Sequence, residues 1–274
     1  MNEAKTETDL ERSYLEFCGE IAKISSALFS TTCKECEAVT KGIIPYEKGD
    51  IVIPLIVLSP SFSFRNRISP AGVTFRTDRN GNEKDIGYKA NRKKDAWSIP
   101  GVKDLKKMIY NRLKDTGILY LRNIENKEDG AEADDVVNYL ARTKKYFVAA
   151  IDKDVINANP TYCYDYNNFK WELPRRQHQI EQWFLYQTLM GDATDNIAGA
   201  KGIGAKTAQS IIYGELDGKG TYYDLLPYFE NETDLLVNHQ LVRMDMYNGE
   251  TVVPWNPAMA GVSPGQSINK EGDI

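Results

Sequence analysis

Histidine is all but missing from this sequence: His178 and His239 are the only two in 274 residues. A zinc site needs about four nitrogen or sulfur ligands. Neither histidine stands at ligand spacing from the one CxxC, Cys33 and Cys36 in "STTCKECEAV", and Cys18 and Cys163 stand alone. The cysteines therefore read as reduced thiols on or near a helix. Long apolar runs are missing too, since no window approaches the roughly 18 residues of a membrane span. The opening "MNEAKTETDLERSY" lacks the basic-then-apolar order of a signal peptide. The chain reads as a soluble cytoplasmic protein with no membrane partner, and no internal repeat is evident. An excess of positive charge is also lacking, with 34 Lys and Arg against 39 Asp and Glu, net -5, which at first argues against a polyanionic partner.

That average hides a segregation. From Gly81 to Asp115 there are ten basic residues against five acidic ones, a local +5 centred on "GYKANRKKD". Seven carboxylates fall in three tight clusters, and setting them aside moves the chain from -5 to +2. If metal ions neutralise those clusters, the remaining surface accepts a polyanion.

Residues 9 to 42 carry Leu10, Tyr14, Phe17, Ile21 and Ile24 at helical spacing. "DIVIPLIVLSP" from Asp50, "GILYLRNI" and "YFVAAIDKD" are apolar runs of the kind found in strands buried on both faces. Helical stretches lie between and after them: "PGVKDLKKMIYNRLKD", "AEADDVVNYLARTKK" and "QIEQWFLYQTLM". The alternation predicts an α/β fold with a mostly parallel sheet flanked by helices. "TYCYDYNNFKWEL" suits an edge hairpin around Asn167 and Asn168. The expected organisation is an N-terminal helical segment over 1–45, a core over 46–190, a helical lobe over 191–256 and a loose tail over 257–274.

The acids sit where this topology gathers them. "EADD" puts Glu132, Asp134 and Asp135 at a helix start, with Glu132 and Asp135 on one face. "IDKD" puts Asp152 and Asp154 just past a strand, where the two-residue period aims both side chains the same way. "GDATD" supplies Asp192 and Asp195. Any one group has an ordinary alternative, since acids are favoured at helix N-termini and a DxD occurs in solvated loops. Together in one crevice they would repel by several kcal/mol without a cation among them. Oxygen-only donors suit Mg²⁺ or Mn²⁺, and two such ions roughly 4 Å apart activate water on a phosphodiester.

"KGIGAKTA" places Gly202 and Gly204 in a tight turn opening a helix, with Lys201 and Lys206 beside it. Such a turn brings backbone amides close to a phosphate oxygen and holds a nucleic-acid backbone without reading bases. In "GYKANRKK", Tyr88 is a candidate to stack on a base, Lys89 and Arg92 to bind the reacting phosphate, and Lys93 and Lys94 to add charge.

"YKANR", "EADD", "DKD" and "GDATDNIAGAKGIGAKTA", in this order, resemble the phage and bacterial 5′ nucleases of the flap-endonuclease superfamily over about Ile51 to Ile212. The resemblance implies a PIN-like fold, a helical arch, and a C-terminal helix-hairpin-helix lobe that grips duplex DNA and can hold K⁺. It implies 5′→3′ exonuclease and flap-endonuclease activity on DNA flaps, nicks or ends, with action on RNA in RNA-DNA hybrids as a further implication. Replication or recombination proteins are the implied partners of a monomer. By the same resemblance Glu132, Asp134 and Asp135 look like ligands of a first metal, and Asp152, Asp154, Asp192 and Asp195 like the set of a second. Lys89 and Arg92 look like catalytic arch residues, and Arg65 in "FSFR" like the DNA-binding arginine before the arch.

Two departures stand against the pattern. The family begins with an apolar strand ending in aspartate, and nothing like it precedes Asp9. The family's aspartate after the next strand is also absent, since "LSPSFSFRNR" offers Leu58, Ser59 and Ser61, with no acid between Asp50 and Asp78. A shortened chain, a strand supplied by another chain or a degenerate relative would account for the first loss; shortening alone does not account for the second. Both losses fall on the first metal, which keeps open a second reading: a catalytically impaired branched-DNA-binding protein of the same fold. A PIN-type ribonuclease fits the fold but leaves the glycine hairpin less well explained.

Overall fold

The structure, a computed structural model, describes residues 7–39, 53–60, 62–71, 75–77, 83–85, 87–91, 101–121, 130–143 and 146–260. The first helix, α1 (Glu7–Val39), follows the apolar spacing and lies against α3 (Val102–Leu113). Tyr14 and Phe17 pack there on Ile109 and Leu113 beneath Ile56, Leu58 and Leu119. Cys33 and Cys36 fall on α1. A short turn, α2 (Arg65–Ile68), precedes an antiparallel pair, β1 (Phe75–Thr77) and β2 (Glu83–Asp85).

Over its described residues, 53–58, the expected strand does not form a full ladder. Among the described residues only Ile56 bridges, in parallel, to Leu119, and Ile53 is 72% exposed. Pro54 and Pro60 lack N–H donors, which limits any ladder here. The "YFVAAIDKD" run gives only β3 (Val148–Ala150), with Val148 buried but Ala149 open on the other face. Strand β3 pairs in parallel with β4 (Cys163–Asp165), which pairs antiparallel with β5 (Lys170–Glu172). The expected hairpin forms: Asp165 accepts bonds from the N–H groups of Asn167 and Asn168, closing the turn. The architecture is mixed α/β with small sheets, and only one of the three described ladders is parallel.

Helix α4 (Ala133–Thr143) ties the two parts together. Val136 and Leu140 pack with Leu55, Val57 and Tyr120, while Ala141 packs with Val148 and Val155. The short α5 (Lys153–Asn157) follows β3 at once. Helix α6 (Gln177–Met190) runs under the largest core among the described residues, built with α7 (Ala205–Gln209), a π-helical turn at Ser210–Glu215, a 3-10 turn at Tyr222–Tyr228 and α8 (Glu232–Val242). Leu185, Leu189, Ala208, Ile212, Leu225 and Leu235 fill it. Beneath it His239 is fully enclosed between Thr188, 2.8 Å away, and Arg243 at 3.1 Å. Burial and then the Arg243 charge hold His239 well below its ordinary pKa, so it is neutral. The expected tail begins with order, since Trp255 is buried and Pro257–Ala260 forms a 3-10 turn; residues 261–274 lie outside the described set. Among the described residues no helix is long and apolar enough to cross a membrane.

Candidate functional site

The start of α4 is fastened by its neighbours. Ser59 Oγ accepts the Ala133 N–H at 3.0 Å, and Asp135 accepts the Glu132 N–H at 2.8 Å, so two of the helix's orphan donors are capped. Gly130, at φ +59, lets its carbonyl accept the Phe64 N–H at 2.8 Å; a Cβ there would meet that nitrogen at 2.8 Å. This contact delivers Arg65 to the acids. Its guanidinium donates to both oxygens of Asp135 at 2.8 Å, to Glu132 at 3.0 Å and to the Leu241 carbonyl at 2.8 Å. Burial works to lower the guanidinium pKa and to lift that of Asp135. At Arg65 the Asp135 charge and the two parallel hydrogen bonds win and hold the guanidinium protonated well above its usual range, whereas at Asp135 burial prevails and its pKa stays raised.

The reading of Arg65 as a DNA contact is corrected here: the residue is 4% exposed, its donors are taken by protein acceptors, and no face remains for a phosphate. Tyr88 is corrected likewise. It is 2% exposed, and its hydroxyl donates to Glu132 at 2.7 Å and lies 3.0 Å from Asp195, so the ring has no face on which a base can stack. Burial, followed by the charges of Glu132 and Asp195, outweighs Arg65 and raises its pKa.

Lys89 occupies the left-handed region at φ +57, and its N–H donates to the Asp195 carbonyl at 2.7 Å. Its ammonium donates to Glu132 at 2.6 Å and stands 3.7 Å from Asp195. Asn196 fixes the same segment by donating to the carbonyls of Asp85 and Gly87 at 3.0 and 2.8 Å. Burial would raise the Glu132 pKa, but Arg65 and Lys89 hold it down at about 2.

The other carboxylates are less well neutralised. Asp152 caps α5, accepting the Asp154 N–H at 2.8 Å, so the pair is placed by a helix turn and not by the strand period expected for it. Lys153 spans two elements, 3.3 Å from both Asp154 and Asp192. Asp192 accepts the N–H groups of Thr194 and Asp195 at 2.7 and 3.3 Å. Gly191 and Gly199 close this loop: a Cβ on Gly191 would lie 2.4 Å from the Ile197 carbonyl oxygen. Asp134 is exposed at the mouth of the group; partial desolvation, then the charges of Asp135, Glu132 and Asp152, push its carboxyl up to about 7. Burial, only partly offset by Lys153, lifts Asp154 to about 6.

Charge interactions thus run from Glu132 through Asp134 and Asp152 to Asp154 and Asp192. The seven acids do not form one ligand shell, however. Among the described residues no three acids, cysteines or histidines stand close enough to hold a metal. What the structure offers is carboxylate pairs bridged by lysine. The donor chemistry around Asp154 still fits a hard cation, and the Gln187 amide that donates to Asp154 leaves its own buried oxygen without a partner.

The loop carrying Asp192 and Asp195 runs directly into the glycine turn. Gly202 is left-handed at φ +80, Ile203 anchors the turn in the core, and Lys201, Gly202, Gly204 and Lys206 are all exposed. Arg92, Lys93 and Lys94 lie outside the described residues. Sequence reasoning passed over Lys153, although it stands inside the quoted "DKD". It also passed over Lys106, which donates to the Ser59 carbonyl at 3.3 Å and whose pKa burial lowers, and over Gln187, for which no local signal exists.

No family model matches the chain. It is 33% identical to DNA polymerase I of Deinococcus radiodurans over 162 residues, 54% of this chain and 16% of that protein. It is 50% identical to the thermostable DNA polymerase I of Thermus thermophilus over 46 residues, 16% of this chain and 6% of that one. The matches therefore span a small fraction of these relatives' length. Among solved structures, the T5 D15 protein co-crystallised with metal ions aligns with TM-score 0.51 and 18% identity, covering 86% of this chain and 87% of that one. The likeness to the T5 D15 protein is one of fold.

Proposed function

We propose that the chain is a divalent-metal-dependent 5′ nuclease acting on DNA at 5′ flaps, nicks or ends. The observation that carries this reading is continuity. The loop that presents Asp192 and Asp195 to the other carboxylates leads into an exposed glycine turn, whose Gly202 stands seven residues after Asp195, of the kind that grips phosphate backbone. What supports DNA as substrate is the similarity to polymerases named for it. Mg²⁺ or Mn²⁺, when bound, supplies a Lewis acid for phosphodiester hydrolysis. Asp154 and Asp192, the carboxylate pair that Lys153 bridges, are the groups such an ion would meet.

The chain's own groups do the rest. Lys89 keeps ammonium protons beyond the one given to Glu132, and these can meet a phosphate oxygen. Arg92, Lys93 and Lys94 add positive charge for a phosphate backbone. Lys201, Gly202, Gly204 and Lys206 hold the duplex backbone away from the chemistry, with K⁺ as a candidate ion of that PIN-like, helix-hairpin-helix arrangement. Action on RNA-DNA hybrids, a monomeric state, a cytoplasmic setting and replication partners belong to the same proposal. The lysine bridges across the acid pairs favour one rival, a branched-DNA binder that cuts poorly.

The test is cleavage of a flap duplex by wild type and by Asp152→Ala/Asp154→Ala. Loss of cutting with DNA affinity retained supports the nuclease, because removing negative charge eases phosphate approach. Unchanged cutting in the double variant would sink the assignment.

A further inference from the structure

Of the cations around the acids, one stands apart. Arg65 holds Asp135 and Glu132, Lys89 holds Glu132, and Lys153 lies between Asp154 and Asp192. Lys106, on α3, has no carboxylate partner among the described residues; its one acceptor there is the Ser59 carbonyl, at 3.3 Å. A chain of contacts sets its place. Ser59 gives its carbonyl to Lys106 and its hydroxyl, at 3.0 Å, to the Ala133 N–H. Ala133 opens α4 next to Glu132, so Lys106 is held at the helix end that Lys89 reaches through its 2.6 Å bond to Glu132. Both Glu132 oxygens are already engaged, Oε1 by Lys89 and Oε2 by Arg65 and Tyr88. Burial lowers the Lys106 pKa, the Glu132 charge raises it and the Lys89 charge lowers it again, which puts the two ammonium groups within electrostatic reach of each other.

A single neutral acceptor compensates poorly for the water that a half-buried ammonium gives up. Two of its three protons remain for an anion. We infer that Lys106 is a second phosphate-contacting residue beside Lys89, the two ammonium groups forming one subsite for a backbone phosphate of the DNA strand at the start of α4. The inference rests on the nuclease reading for DNA as the ligand, and on the Lys106–Ser59–Ala133 contacts for its place. With Arg65 and Lys89 engaged by Glu132 and Asp135, Lys106 supplies positive charge that an arriving phosphate meets there. The lack of acids at Ser59 and Ser61 agrees with it, because a carboxylate beside Lys106 would take the ammonium for itself.

The experiment is binding of a flap duplex by the full chain in Ca²⁺ across a range of salt, with cleavage in Mg²⁺ run beside it. Lys106→Met should make the slope of log affinity against log salt shallower by about one, the loss of one phosphate contact. Lys107→Met removes the same charge from an exposed neighbour on α3 and should change the slope by less than about 0.3. Without DNA, Lys106→Met should melt at or above the wild-type temperature, since a half-buried charge is gone. Should it fail to fold by circular dichroism, Lys106→Gln takes its place. An unchanged slope, with or without a fall in melting temperature, an equal change in Lys107→Met, or a wild-type chain that binds no DNA would overturn the inference. A shallower slope confined to the Lys106 variant, with no cutting by wild type, would leave it standing and remove the nuclease reading instead.

Discussion

Replacing Arg65 with methionine probes the contact on which the site's geometry depends. The substitution leaves Asp135, with no exposed surface, facing an apolar side chain in place of two hydrogen bonds at 2.8 Å. The carboxyl then either stays charged in the interior or takes up a proton, and the proton is the cheaper course. An aspartate that ionises near 3.9 in the unfolded chain costs about 4 kcal/mol to hold neutral at about pH 7, at about 1.4 kcal/mol per decade. That agrees with the roughly 3–5 kcal/mol for breaking a buried pair from one side. The Leu241 carbonyl loses a donor, at about 1 kcal/mol, and the buried methionine returns a similar amount.

The net loss is about 4 kcal/mol from a total of roughly 5–15. The sign with pH follows. The variant's folded state binds a proton that its unfolded state has lost, so the penalty grows as pH rises above about 4 and shrinks to about 1.5 kcal/mol near pH 5. Urea unfolding of wild type, Arg65→Met and Arg65→Met/Asp135→Asn, in EDTA at both pH values, measures this. The double variant should be more stable than the single one at the higher pH, and the two should converge at the lower. A single variant within about 1 kcal/mol of wild type at pH 7, or a double variant less stable than the single, would refute the reasoning.

Other expectations concern the loops and the second core. Gly191→Ala should lower stability by about 2 kcal/mol or more, because its Cβ would lie 2.4 Å from a backbone oxygen at φ +73, and should weaken Mn²⁺ binding through Asp192; a normal melting temperature would contradict this. Gly202→Val/Gly204→Val meets no atom within 4 Å but is strained at Gly202, whose φ is +80; it should weaken DNA binding alike for all sequences, and loss for one sequence alone would count against a backbone grip. His239 is depressed well below its ordinary value, so the fold keeps its full stability above about pH 6.5 and loses up to about 1.4 kcal/mol per unit below it. His239→Gln should flatten that slope in chemical denaturation, and an unchanged slope would show that the group does not contribute.

Much of the helical frame was legible because its signal is local: Leu10, Tyr14 and Phe17 repeat at one face of α1, and the Asn167–Asn168 turn announces the hairpin. The acids were legible as candidates because each group stands at the end of an element. Their partners were not. Arg65 and Tyr88 carry the residue types of a DNA contact, and nothing local reveals that Gly130 draws Arg65 onto Asp135 or that Tyr88 turns inward toward Glu132. The 51–58 run misled because apolar length was read as a strand, although its two prolines and exposed Ile53 fit a segment with only one bridge. Asp152 and Asp154 follow a strand as expected, but the chain leaves β3 at Ala150, and the capped helix orients them in place of a strand period.

The central claim is most directly tested by incubating the 274-residue chain with a 5′-labelled flap duplex in Mg²⁺, Mn²⁺ or EDTA, with DNA binding measured in Ca²⁺. The account predicts cutting at the flap with either ion, none in EDTA, and binding in Ca²⁺ that survives Asp152→Ala/Asp154→Ala. Tight binding in Ca²⁺ with no cutting in any metal would contradict it.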